Sequence, residues 1–195
     1  LVGNDVVDLD EPDARGAHLR ERLVHRVLTE SERARLASST APHALFWMFF
    51  AAKEAAYKVV TKLRSDAVFA HRAFEVGPEL EHVRYAELHL SLRSRIACDH
   101  VSALAWTAEE PTLYGVERIP ERTDASLASR AALITALADR LGCARAELSV
   151  VRPALPGSWG GFGPPRVVRH GEPLAVDVSL SHDGRFAAFA AVVSG

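Results

Sequence analysis

The sequence predicts an α+β protein built as a pair of similar lobes, each a small antiparallel sheet packed with one long helix. Three observations carry this. From Pro42 to about Leu63 the chain offers Leu, Phe, Trp, Met, Ala, Lys and Glu with no interior Gly or Pro, which is a helix started by proline. A second clean helix runs from Thr123 to Leu141, with Asp124 and Ser126 near its start and Gly142 as its stop. Each helix is followed by alternating apolar and polar runs of the kind that make antiparallel strands. A chain of 195 residues that is 48% hydrophobic can bury a core of this size, as one domain or two lobes. Pro120 and the polar run after it place a linker near 119–124, so the expected lobes are 1–120 and 121–195.

Residues 1–9 read as a strand. Its period of two sets Asp5 and Val7 on one face and Asp8 on the other. Residues 13–38 are rich in Arg, Glu, Leu and Ala, and Thr29-Glu30-Ser31-Glu32 forms a capping box that starts a short helix. After the helix at 42–63, strands are expected around Val83–Tyr85, Leu88–Leu92, His100–Trp106 and Tyr114–Val116. His71, His82, His89 and His100 have no ligand-like spacing and read as half-exposed strand or loop residues. Residues 152–173 hold five of the ten prolines and five of the twelve glycines, which makes them a long irregular loop. It carries Arg152, Arg166, Arg169 and His170, and loops of that length are usually functional. A last strand pair, Ala175–Ser181 and Arg185–Val193, is expected to bracket Ser181-His182-Asp183-Gly184 as its turn.

Composition narrows the class. A formal net charge of −2 gives no global signature of nucleic-acid binding, so a polyanionic ligand would need a local cluster. The longest uncharged apolar run near the first helix, Ala44–Ala52, is too short to span a bilayer, and no basic-then-apolar leader opens the sequence; a cytoplasmic protein is expected. Cys98 and Cys143 are far apart without ligand-like neighbours, which predicts two free, buried thiols.

The helix at 42–63 has charges in an unusual place. Apolar side chains surround it before Lys53, so Lys53, Glu54 and Lys58 emerge at the edge of a core or in a cleft. Glu54 and Lys58 share one face at a spacing of four, and as a plain surface pair they would add roughly 0.2–0.5 kcal/mol to the helix. Two further stretches favour a chemical role. They are Gly3-Asn4-Asp5 in the first strand and Ser181-His182-Asp183-Gly184 near the end.

Together with Phe50-Ala51-Ala52-Lys53-Glu54-Ala55-Ala56-Tyr57-Lys58, these stretches resemble the phosphopantetheinyl transferases. That family has a Gly-x-Asp strand, a Trp/Phe-x-x-Lys-Glu-x-x-x-Lys helix and a Ser-His segment around coenzyme A and magnesium. The resemblance implies Asp5 and Glu54 as magnesium ligands, with Glu54 and Lys58 catalytic. It implies Lys53, Arg166, Arg169, Ser181 and His182 as contacts to coenzyme A. The family's basic loop ends in Gly-Lys-Pro where this chain has Gly171-Glu172-Pro173, so Arg166 or Arg169 would have to replace the lysine. The second acid of the larger, surfactin-type members is replaced by Val7, and Asp8 points away by strand parity. The order of the motifs resembles a circular permutation of that two-lobed type, in which Gly195 would end close to Leu1.

The implied reaction moves the 4'-phosphopantetheine arm of coenzyme A to a serine of an acyl- or peptidyl-carrier protein and releases adenosine 3',5'-bisphosphate. Magnesium suits it because that ion takes one or two carboxylates and completes its octahedron with phosphate oxygens and water. Glu54 or a magnesium-bound water would take the serine proton. A degenerate homologue that binds coenzyme A or a carrier without transfer is the alternative, and a monomer with one interlobe cleft is expected.

Overall fold

The computed structural model describes residues 1–64, 67–108, 110–155 and 161–193. The first lobe runs through β1 (Val2–Asp8), α1 (Glu21–Val27), α2 (Glu30–Ala37), α3 (Pro42–Leu63), β2 (Phe74–Val76), β3 (His82–Tyr85), β4 (Leu88–Ile96) and β5 (His100–Trp106). Its sheet is ordered β1-β5-β4-β3-β2. The second lobe runs through β6 (Leu113–Arg118), α4 (Ala125–Leu141), β7 (Leu148–Val151), β8 (Arg166–Arg169), β9 (Glu172–Asp183) and β10 (Phe186–Val193), ordered β6-β10-β9-β8-β7. The two paths are the same. In each, a first strand leads through a long helix to a four-strand antiparallel meander, whose last strand returns beside the first. Because β6 pairs with β10, the second sheet begins at Leu113 and not after the linker expected near residue 120.

Local chemistry explains the elements that position the site. Thr29 and Glu32 close the capping box of α2 reciprocally, and Gly142, at φ 63, ends α4 in the left-handed conformation. Helix α3 buries Phe46, Met48 and Phe49 and then a run of small residues, Ala51, Ala52, Ala55 and Ala56. That small stripe lets β1 lie close on the helix. A Cβ at Gly3 would sit 2.0 Å from the Ala55 carbonyl oxygen, so only glycine allows this approach.

The lobes meet where β1 runs beside β9. One edge of β1 pairs with β5; on the other, its amides donate to β9 side chains. Val2 donates to Asp177 Oδ2 at 2.6 Å, Asn4 to Ser179 Oγ at 2.9 Å and Asp8 to Asp183 Oδ2 at 2.8 Å. Lys62 of α3 crosses the same seam, its Nζ donating to Asp177, Val2 O and Val178 O. Apolar contacts complete the junction: Val2 packs with Ala190 and Val192, and Val6 with Phe186 and Ala188.

Four expectations are corrected. The stretch 152–173 is not one irregular loop, because Arg166–Arg169 and Glu172 onward form β8 and β9, joined at His170 and Gly171 with φ 51 and 88; residues 156–160 of it lie outside the described residues. Strand β9 continues through His182 to Asp183, so the turn is Gly184-Arg185. Cys98 is free but exposed, in the β4–β5 turn, while Cys143 is free and partly buried. His71 is largely buried, at 18% side-chain exposure. The expected position of Gly195 lies outside the described residues.

Candidate active site

Strand β1 and helix α3 supply the acidic half of the site. By the parity of β1, Gly3, Asp5 and Val7 face α3, and the close approach at Gly3 brings Asp5 to the level of Lys58. Lys58 Nζ donates to Asp5 Oδ1 at 3.0 Å and to the Asn4 carbonyl at 2.7 Å. Asp5 is 14% exposed at its side chain; burial pushes its carboxyl up, against the pull of Lys58 and, more weakly, His182. Glu54, one turn before Lys58, is pushed up to about 7 from 4.5, first by burial and then by the Asp5 carboxylate. His182 comes from β9 of the other lobe, exposed and near enough to Asp5 for its charge to be felt there. Asp5, Glu54, Lys58 and His182 are thus brought together across the lobe junction of a single chain.

The strand-parity reading of Asp8 holds, and the structure gives that residue a partner no pattern announced. Its fully buried carboxylate accepts from Arg185 Nε at 2.7 Å and Nη2 at 2.5 Å, and from the Arg185 and Asp10 amides at 3.0 Å. The guanidinium holds Asp8 below its ordinary value despite burial. This clamp ties β1 to the turn beside His182. Asp183 is pushed up by burial, opposed by the Asp8 amide, with Asp5, Glu11 and Asp8 adding like charge.

Other sequence-predicted contacts are placed elsewhere. Lys53 is fully buried; its Nζ donates to Glu32 Oε2 at 2.6 Å and to the Val27 carbonyl at 2.8 Å, so it anchors α2 to α3 and has no face open to a phosphate. Arg169 donates through Nε and Nη2 to Glu147, at 2.9 and 2.6 Å. It pairs across the sheet with Glu172, and from there His182 lies ten residues along β9, about 30 Å at strand rise, too far for both to serve one phosphate. Arg166, opposite Asp177, is exposed and stands about 16 Å along the strand from His182 by the same measure. Ser181 is buried, its Oγ accepting from Asn4 Nδ2 at 3.1 Å across the junction.

A family model, 4'-phosphopantetheinyl transferase superfamily, matches residues 1–109. That is the whole first sheet with its helices. The chain belongs to this superfamily. No curated protein matches the sequence. The superfamily uses coenzyme A as substrate and acts on carrier proteins, so an anionic pyrophosphate is the ligand against which its site is to be judged.

The donor set fits a magnesium ion shared with such a ligand. Among the described residues no three Asp, Glu, His or Cys side chains group closely enough to hold a metal alone. Magnesium does not require them, since one or two carboxylates suffice when phosphate oxygens and water fill the remaining positions. Asp5 and Glu54 are hard oxygen donors, largely withdrawn from water, with Asp5 raising the proton affinity of Glu54. A cation between them would relieve that repulsion. Among the described residues no helix is long and apolar enough to cross a membrane.

Proposed function

We propose that this chain transfers the 4'-phosphopantetheine arm of coenzyme A to a serine hydroxyl of an acyl- or peptidyl-carrier protein, releasing adenosine 3',5'-bisphosphate. The observation that carries the reading is the meeting of Asp5, Glu54 and Lys58 from one lobe with His182 from the other. Asp5 and Glu54 would hold magnesium, which when bound supplies positive charge against the pyrophosphate. Lys58 adds an ammonium on the same face, where negative charge grows on the leaving oxygen. His182, exposed on the other lobe, would donate to a phosphate of coenzyme A.

In the transfer the serine Oγ forms a bond to phosphorus, and the bond from that phosphorus to the bridging pyrophosphate oxygen breaks. The serine proton needs an acceptor. Either Glu54 or a magnesium-bound water would take it; burial and the Asp5 carboxylate push Glu54 up to about 7 in the metal-free chain, and a bound cation would draw it back down. The Asp8–Arg185 clamp and the β1–β9 hydrogen bonds keep the two lobes in register through this step.

One chain supplies both halves of the site, which supports a monomeric enzyme; a cytoplasmic place of action is part of the same proposal. The packing of Val192 on Val2 supports a permuted two-lobed arrangement, because it sets the end of β10 beside the start of β1. The test is whether coenzyme A, magnesium and apo carriers from fatty-acid, polyketide and peptide synthesis give adenosine 3',5'-bisphosphate. Binding of coenzyme A without release for every carrier would support the alternative, a homologue that binds without transferring.

A further inference from the structure

Helix α3 presents Phe50 one turn before Glu54, and the chain after the helix returns over that face. The short 3-10 turn His71–Ala73 lays the His71 ring against Phe50, with centroids 5.0 Å apart, and against Phe69 at 4.1 Å. Held between two phenyl rings, the imidazole has little freedom to turn. Its Nε2 is buried, has no hydrogen-bond partner among the described residues, and stands 4.0 Å from Glu54 Oε1. A buried polar atom without a partner is costly, on the order of 1–3 kcal/mol, and is uncommon unless it has a use in another state of the molecule. Here the carboxylate that the proposed reaction depends on stands within reach of a small shift.

We propose that His71 is a positioning residue for Glu54. Its Nε2 carries a hydrogen and donates to Oε1 when Glu54 is engaged with ligand, fixing which oxygen faces the site. The shift needed is about 1 Å, the difference between 4.0 Å and hydrogen-bond distance. His71 touches neither coenzyme A nor the carrier; it acts through Glu54. The inference rests on the transfer reading for its purpose, and on the geometry alone for its existence.

Two measurements separate those dependencies. In the 15N-labelled wild-type chain, two-bond proton–nitrogen correlation identifies which His71 nitrogen is protonated; the expected result is a protonated Nε2, whose signal moves when Mg2+ and coenzyme A are added. A bare Nε2 overturns the proposal even if the enzyme is active. His71→Phe keeps the ring stack and removes the donor, so it should melt within a few degrees of wild type. It should bind Mn2+ roughly tenfold more weakly and lose roughly tenfold in kcat, the size of one hydrogen bond to a charged group, with KM for the carrier unchanged. His71→Gln restores an amide donor and should recover most of both. A His71→Phe chain equal to wild type in kcat and Mn2+ affinity overturns the proposal, as does His71→Gln no better than His71→Phe. If the wild-type chain transfers nothing, the proposed reaction fails, and the tautomer and Mn2+ affinity still decide the role of His71.

Discussion

Replacing Asp8 with alanine separates positioning from metal chemistry more cleanly than any other change. The side chain is fully buried and accepts four hydrogen bonds, two from the Arg185 guanidinium and two from backbone amides. Breaking a buried, hydrogen-bonded ion pair by removing one partner costs about 3–5 kcal/mol. Arg185 is 31% exposed and keeps Asp10, so the guanidinium is partly rescued, whereas the two amides must find water beside β1. We therefore expect a loss of about 3 kcal/mol, the low end of that range. The assay is urea unfolding at pH 7, followed by far-UV circular dichroism, with Arg185→Ala and the double mutant closing the cycle. The two single losses should overlap strongly, leaving a large coupling energy. Single losses that simply add, or an Asp8→Ala midpoint equal to wild type, would refute the clamp. Loss of Mn2+ binding as complete as in Asp5→Ala would instead make Asp8 a metal ligand.

Further expectations concern named contacts. Glu54, with a folded value of about 7 against 4.5 unfolded, contributes stability that is fully present below pH 4.5 and lost as pH rises through 7. Glu54→Gln should therefore flatten the metal-free stability profile between those limits and gain up to about 3 kcal/mol at pH 8; parallel profiles for the two proteins would contradict this. Lys53→Met should destabilise by about 3–5 kcal/mol through the stranded Glu32 while leaving KM for coenzyme A unchanged, and a raised KM in folded protein would restore Lys53 as a phosphate contact. His182→Ala should weaken coenzyme A by about 1.5–3 kcal/mol, and equal weakening of dephospho-coenzyme A would show that the 3'-phosphate is not what it reads. Gly3→Ala should fail to fold or melt far below wild type because of the Ala55 carbonyl, and a normal melt would show that β1 can shift on α3.

How much of this was legible follows from which interactions are local. The two long helices, the capping box at Thr29 and the strands of β4 and β5 depend on near neighbours, and their patterns are long enough to read. Strand β2 has three residues, too few for alternation to be visible; β7 and β8 read as unbroken apolar pairs, Val150-Val151 and Val167-Val168, without alternation, and β8 lies among prolines and glycines. At the site, Asp5, Glu54 and Lys58 follow from strand parity and helix spacing plus a resemblance. The misplaced residues are those whose partners are distant in sequence. Lys53 is buried against Glu32, 21 residues away, and Arg169 is occupied by Glu147; the direction of Asp8 follows from strand parity, but its partner Arg185, 177 residues on, leaves no local pattern. His71 gave no spacing signal because what matters is the fold of the chain back over Phe50 and Glu54.

The transfer itself is the central claim, and intact-mass spectrometry of the carrier tests it most directly. Apo carriers from the three kinds of synthase would be incubated with coenzyme A, magnesium and either wild-type chain or Asp5→Ala, beside an active control transferase. The account expects at least one carrier to gain the mass of one phosphopantetheine arm with wild type, with the rate falling at least about a hundredfold in Asp5→Ala. No mass gain on any carrier that the control enzyme modifies, or equal rates for the two proteins, would contradict it.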